Sequence, residues 1–248
     1  MKKVLITGAT SGIGLAISKR LLEIGYVVYG VGRDFSKVSI ENKNFYPIVC
    51  DLLKYQNIEE MVKELKKSVD IEILINCAGV GYFGPHEEIN PTKLHKMIAL
   101  NLEAPLVLIQ LLLRDLKKRK GTIINVSSIT ATKASTYGCA YSATKAGLVH
   151  FSKGLFDEVR KSGVKVTSIL PDITKTPFYD NLNFREGDEE DSYILPECVA
   201  EAVVNILSQR EGTVVTEVIL QPQKHMIKRK NFFKKYLTKR VIYSILLL

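Results

Sequence analysis

Short apolar runs at residues 4–7, 27–31, 46–49, 71–75, 122–126 and 166–170 alternate along the chain with longer segments at 14–24, 58–67, 91–116 and 141–161. In the longer segments the apolar residues recur every three or four positions. The first pattern fits a strand and the second a helix. Runs that are apolar at nearly every position belong to strands buried on both faces, the condition of a parallel sheet. Strands and helices alternating in this way predict an α/β fold, a doubly wound parallel sheet with helices on both faces. Residues 171–195 are polar and irregular, with acids gathered at 186–191. A helix over 196–208, with Pro196 in its first turn, and a strand over 214–220 bring the expected strands to seven. No repeat, low-complexity tract or linker interrupts this run, so residues 1–223 are expected to form one domain, followed by a tail over 224–248.

Composition changes this picture only at the tail. With 248 residues, 46% of them hydrophobic and 25% charged, the chain suits one domain with a large core. The net charge of +9 is concentrated after Gln223, where Lys224, Lys228, Arg229, Lys230, Lys234, Lys235, Lys239 and Arg240 stand without an acid. The body is left with 27 basic and 26 acidic residues, so no nucleic-acid partner is expected. From Lys228 onward, Phe233, Leu237 and Val241 fall four apart, which predicts a basic helix with one apolar face. The apolar ending over 241–248 is far short of the about 20 residues needed to span a bilayer. Two partners fit the predicted helix: an anionic membrane surface or a second subunit. The four cysteines Cys50, Cys77, Cys139 and Cys198 lie in or beside apolar stretches and are expected to be buried free thiols. The N-terminus runs directly into a strand with no secretory pattern. The expectation is a cytoplasmic protein, peripheral at the inner membrane face if the tail binds lipid.

Candidate chemistry begins at Thr7-Gly8-Ala9-Thr10-Ser11-Gly12-Ile13-Gly14, between the first strand and the first helix. Glycines there let the backbone approach a pyrophosphate, and the free N–H groups of the helix end stabilise the anion. Tyr141 and Lys145, four apart, project from one helix face. Ser128 closes the fifth strand, and Asn101 is expected to open a long helix. Carbonyl reduction adds hydride to carbon and a proton to oxygen. A tyrosine with a pKa of roughly 10 needs help as an acid–base catalyst, which a nearby lysine cation can give.

The T-G-x-x-x-G-x-G spacing, the Asn76-Cys77-Ala78-Gly79 turn and the Asn101/Ser128/Tyr141/Lys145 set together resemble the short-chain dehydrogenase/reductase family over nearly the whole body. The resemblance implies a nicotinamide dinucleotide held by Gly8, Thr10, Ser11, Gly12, Ile13, Gly14, Asn76, Ala78 and Gly79. Asp51 and Leu52 would meet the adenine, with a helix N-cap as a second role for Asp51. Pro171, Thr174 and Thr176 would lie near the nicotinamide. Tyr141 would exchange the proton, Lys145 hold the ribose and support Tyr141, Ser128 bind the substrate oxygen and Asn101 position a water. Ser127, one residue away, should face the other side of the strand. Gly32 stands where an NAD-specific site carries an acid, and Arg33 follows, which favours NADP(H) over NAD(H). Asp34 and Ser11 argue the other way. Asp172 replaces the glycine usual after the sixth strand, so its backbone must do without glycine's freedom.

The expected activity is interconversion of a carbonyl and an alcohol on a small molecule, in a homodimer or homotetramer. Tyr82, Phe83, Tyr137, Phe178 and Tyr179 are candidates for the substrate wall, while His86 and His95 have no partner motif. A 3-oxoacyl-carrier-protein reductase is an alternative, with Arg119 as a basic contact for the carrier. A non-catalytic redox sensor is a second alternative, which would need none of the four catalytic side chains.

Overall fold

The computed structural model describes residues 1–230. Its elements in chain order are β1 (Lys3–Thr7), α1 (Gly12–Glu23), β2 (Val27–Gly32), β3 (Phe45–Val49), α2 (Tyr55–Leu65), β4 (Ile73–Asn76), α3 (Pro91–Ile98), α4 (Ala104–Arg119), β5 (Thr122–Val126), α5 (Cys139–Val159), β6 (Lys165–Pro171), β7 (Phe184–Glu186), α6 (Pro196–Leu207), β8 (Glu217–Leu220) and β9 (Ile227–Arg229). Seven strands form one parallel sheet in the order β3-β2-β1-β4-β5-β6-β8. The order reverses direction between β1 and β4, and the crevice beyond their C-terminal ends is where such sheets bind ligands.

Strand alternation splits the core into two layers. On β1, Leu5 joins the layer under α2, α4 and α5, while Val4 and Ile6 join the layer under α1 and α6. On β4, Leu74 faces the first layer and Ile73 and Ile75 the second. Both faces are buried, which explains why these strands are apolar throughout. Each fully buried leucine or isoleucine contributes about 1.5–3 kcal/mol. Leu74→Ala would leave a cavity costing about 2–5 kcal/mol.

The expected fold class and seven-stranded sheet are present, with three local departures. The helix over 91–116 runs on to Arg119, and α3 and α4 are joined by a π-helical turn at Ala99–Glu103. It ends at Lys120, which takes a left-handed φ of 50° before Gly121. The last strand of the large sheet is shorter than expected and begins at Glu217.

The third departure is at the tail. Residues 227–229 form a strand, not the start of a helix, and pair antiparallel with β7, Phe184 opposite Arg229 and Glu186 opposite Ile227. The acid-rich run and the basic tail account for each other. Lys228 pairs with Asp188, and Lys224 lies 3.3 Å from Glu189 and 3.0 Å from Asp191. Part of the tail's positive charge is therefore neutralised by the body. The amphipathic helix expected beyond that point falls on residues 231–248, outside the described residues.

Candidate active site

The loop between β1 and α1 is shaped by close approach. A Cβ on Gly14 would sit 2.2 Å from the Gly8 carbonyl oxygen, so only glycine lets the helix start this near the turn. Ser11 is the N-cap of α1 and makes no side-chain capping bond, so the first amides of the helix point into the loop. The neighbouring loop is fastened to this one by Thr7, which opens the glycine motif and had been given no role of its own. Its Oγ1 accepts the N–H of Cys77 at 3.0 Å and of Ala78 at 3.1 Å. Gly8–Gly14 and Asn76–Gly79 therefore line one crevice.

Gly32 ends β2, and a Cβ there would lie 2.3 Å from Thr10 Cγ2, so a larger residue at this position would have to displace the Thr10 side chain. Arg33 is exposed and enters no ion pair among the described residues. Asp34, the expected counter-argument, turns its carboxylate back on its own loop, where it accepts the Ser36 N–H at 2.8 Å. That bond holds its pKa below the usual carboxylate value. The crevice thus offers open helix amides and close backbone approach beside an exposed guanidinium, a fit to a dinucleotide.

The remaining predicted contacts divide. Asp51 accepts the Leu53 N–H at 3.2 Å, a local turn, and Lys54 rather than Asp51 is the N-cap of α2. Leu52 is buried in the core layer under α2, so only its backbone can face the crevice. The side chain of Asn76 is likewise turned inward and donates to Asn125 Oδ1 at 2.8 Å, while Asn125 donates to Ser152 at 2.8 Å. Ile13 packs against the layer under α1. Pro171 ends β6, Thr174 donates to the Asp172 carbonyl at 2.9 Å, and Thr176 lies against Gly12. Asp172 needs no left-handed backbone. Its Oδ1 accepts the Ile173 N–H at 2.8 Å and lies 3.2 Å from His225 Nδ1, and its Oδ2 accepts from Gln221 at 3.2 Å. The replaced glycine is compensated by residues after β8.

The four expected catalytic residues converge at the C-terminal edge of the sheet, all of them buried. Lys145 Nζ donates to the Val126 carbonyl at 3.1 Å and lies 5.8 Å from the centre of the Tyr141 ring. Ser128 accepts from the Thr130 N–H and hydroxyl at 3.2 and 3.1 Å. Ser127 points elsewhere, as expected, donating to the Lys145 carbonyl at 2.9 Å. Asn101 differs from expectation. It lies within the π-helical turn, and its amide is engaged with Val80, accepting its N–H and donating to its carbonyl, both at 2.8 Å. A further bond reaches Thr144 at 3.1 Å. Asn101 therefore ties the loop after β4 to α5 through its side chain.

Electrostatics at the pair also differ from expectation. Burial pushes Tyr141 up to about 12, opposed by a hydrogen bond with Ser128, and the Cys77 thiol adds to the rise. Burial likewise brings Lys145 down to about 8. In the protein alone, burial thus drives both groups toward their neutral forms.

The closure responsible for this burial is aromatic. Ring centres are separated by 5.2 Å for Tyr141–Phe83, 5.1 Å for Phe83–Phe184, 5.7 Å for Phe184–Tyr179, 5.2 Å for Tyr179–Phe178 and 6.0 Å for Phe178–Tyr141. Phe83, Phe178 and Tyr179 were expected at the wall, and Phe184 was not. Tyr137 is 55% exposed, and Tyr82 lies under Lys93. Two cysteines depart from the buried thiol expected: Cys139 and Cys198 are exposed. Cys139 Sγ lies 3.5 Å from Nδ1 of His86, which thereby acquires a partner. Arg119, the candidate carrier contact, pairs with Asp70 at the opposite edge of the sheet.

The short chain dehydrogenase profile matches residues 2–187, and the chain belongs to that family. It is similar to an oxidoreductase of Staphylococcus epidermidis of uncharacterised activity, with 31% identity covering 89% of this chain and 97% of that one. A 3-oxoacyl-[acyl-carrier-protein] reductase of Buchnera aphidicola is 33% identical over 84% of this chain and 91% of its own length. Among solved structures, an alcohol dehydrogenase of the archaeon Thermococcus sibiricus, complexed with 5-hydroxy-NADP, superposes with a TM-score of 0.83. That match has 26% identity and covers 91% of this chain and 98% of that one. The protein is an oxidoreductase of this family, with a Rossmann-like single domain.

Proposed function

We propose that the protein interconverts a small-molecule carbonyl and its secondary alcohol, using NADP(H) in preference to NAD(H). The observation that carries this reading is the convergence of Tyr141, Lys145 and Ser128 beside a crevice fitted to a dinucleotide. When bound, the nicotinamide supplies or accepts the hydride at the carbonyl carbon. Ser128 donates a hydrogen bond to the substrate oxygen, and Tyr141 passes its phenolic proton to that oxygen in reduction and takes it back in oxidation. Lys145, fixed through Val126, reaches the ribose from the same helix face and stabilises negative charge on the phenol. Asn101 holds the loop after β4 against α5 and so sets the spacing between crevice and catalytic helix.

The preference for NADP(H) rests on the absence of an acid at Gly32 and the exposed Arg33 beside it. The Thermococcus sibiricus structure, with its NADP derivative, supports the same choice. The Buchnera relative keeps 3-oxoacyl carrier substrates as a second reading, which Arg119 does not help because it is engaged with Asp70. Ile98, 53% exposed on the long helix, suits packing against a second copy in a homodimer or homotetramer. The cytoplasm, where NADPH is abundant, is the compartment this reading requires. The test is NADPH consumption by the purified protein across a panel of diketones, 3-oxoacyl esters, quinones and steroid ketones. Turnover by the parent that persists at the same rate in Tyr141→Phe would overturn the mechanism.

A further inference from the structure

The five aromatic rings close a circuit on Tyr141, which is left 8% exposed. A carbonyl oxygen must come within hydrogen-bond reach of its hydroxyl, about 3 Å, for the proton to pass. Access therefore requires one ring of the circuit to give way. The group that replaces it meets ring faces and edges spaced for aromatic contact, where centroid separations of about 4.5–7 Å are favourable. A flexible acyl chain would fill that slot poorly, and a charged group would be desolvated there at a large cost.

Three of the rings, Phe178, Tyr179 and Phe184, lie in the segment between β6 and α6, which has few fastenings of its own. At its base an isolated bridge joins Thr174 and Ile194. The segment also rests its rings on Phe83 and Tyr141 and carries a local Arg185–Asp188 pair, and a further set of attachments comes from residues 224–230. β9 pairs with β7, which carries Phe184. Lys230 Nζ donates to the carbonyls of Tyr179 and Asp180, the turn that carries Phe178. The Gly187 N–H donates to Met226 at 3.1 Å, the Lys224 N–H to Asp191 at 2.9 Å and the Lys230 N–H to Asn183 at 2.8 Å. Lys224 and Lys228 pair with Glu189, Asp191 and Asp188. The charged groups of the segment are thus used in holding the strap. Exposed pairs of this kind are screened by solvent and contribute little each, so the strap can release and re-form.

We propose that residues 224–230 are a strap seating an aromatic cover over Tyr141, and that this cover selects carbonyl compounds bearing an aryl group beside the reacting carbon. The proposal rests on the carbonyl-reductase reading above. Phe83, Phe178, Tyr179 and Phe184 are its specificity determinants, and Lys230 is a positioning residue that acts through Tyr179 and Phe178.

The full-length protein is assayed for NADPH-dependent reduction of two α-keto esters, ethyl benzoylformate and ethyl pyruvate, which share the reacting group and differ in aryl against methyl. The aryl ester is expected to have at least about 10-fold higher kcat/KM, the scale of one well-packed ring. Phe184→Leu, which keeps an apolar side chain but removes the ring, lowers that ratio toward unity, and Phe184→Tyr restores it. Lys230→Met raises KM for the aryl ester about 3–10-fold, with kcat and NADPH affinity nearly unchanged, as loss of one exposed fastening predicts. Near-UV circular dichroism confirms folding, and Phe178→Leu carries the same ratio test if Phe184→Leu does not fold. Equal kcat/KM for the two esters in the parent, or an unchanged ratio in the leucine variant, overturns the aromatic selection. An unchanged KM in Lys230→Met overturns the strap. Failure of the parent to reduce any carbonyl with either cofactor overturns the oxidoreductase reading itself, a result distinct from parity between the esters.

Discussion

The crevice between β1 and β4 and the cover over Tyr141 are built on opposite principles. The crevice is made from short local turns, Gly8–Gly14 and Asn76–Gly79, set at the ends of buried strands and fixed by backbone contacts such as that between Gly14 and Gly8. The cover joins residues 83, 141, 178–184 and 224–230 through ring contacts and exposed ion pairs. The first should tolerate no change of shape, while the second should tolerate loosening. Chemistry common to a family occupies the rigid part, and substrate choice occupies the part that can move.

The comparison breaks most sharply at the residue the two regions share. Tyr141→Phe should keep the ring circuit and NADPH binding but lower turnover at least about 100-fold, the scale of a general acid's contribution. Single-turnover kinetics with bound NADPH would check that the loss is in chemistry. Within the crevice, Gly14→Ala should destabilise the fold by about 1–3 kcal/mol, the usual cost of overpacking. Chemical denaturation would measure it. Arg33→Ala should weaken NADPH by about 10-fold or more and leave NADH nearly unchanged, because only the 2′-phosphate loses a charge-assisted bond. Titration of both cofactors at one ionic strength decides this.

Proton linkage at the buried pair sharpens the comparison further. Lys145, brought down to about 8 against an ordinary 10.5, binds fewer protons in the folded than in the unfolded protein between those values. Stability of the cofactor-free protein should therefore rise with pH across that window. Tyr141, raised to about 12 from 10, keeps a proton the unfolded chain has lost, so its contribution falls above pH 10. Melting temperature against pH should climb and then drop, and Lys145→Met should remove the climb. The smallest effect belongs to the cover: Asp188→Ala removes pairs with Arg185 and Lys228 but should leave the melting temperature nearly unchanged, since both pairs are exposed.

The two regions also differ in how far the sequence reveals them. Strand alternation, the glycine turn and the Tyr141/Lys145 spacing are local signals, and each element lies within a few residues of its expected place. Leu5 and Leu74 could be assigned to a doubly buried sheet because their neighbours on both sides were apolar. Asn101 was identified, but the tie its side chain makes between Val80 and Thr144 was not legible, since those partners are 21 and 43 residues away. Asn125 and Thr7 carried a signal, a polar residue inside or ending a strand in the buried sheet, that went unused. The β7–β9 pair carried almost none: three-residue strands have no measurable period, and basic residues spaced along a tail suit a helix equally well. What might have exposed it was the matching of an acid-rich loop with a base-rich tail, a charge complementarity visible only when the two are considered together.

The antiparallel pairing of residues 184–186 with 227–229 has a consequence for the order in which the protein is made. Synthesis proceeds from the N-terminus at about 5–20 residues per second, and domains begin to fold as they emerge. The glycine loop, β4, β5 and α5 can assemble while the strap is still inside the ribosome, so the dinucleotide crevice forms before the cover can be fastened. For that interval the nascent chain holds a nearly complete cofactor site beneath an unfastened cover of phenylalanines. A bound dinucleotide at this stage would steady the crevice by mass action, making the cofactor a participant in the protein's biogenesis before it takes part in any reaction.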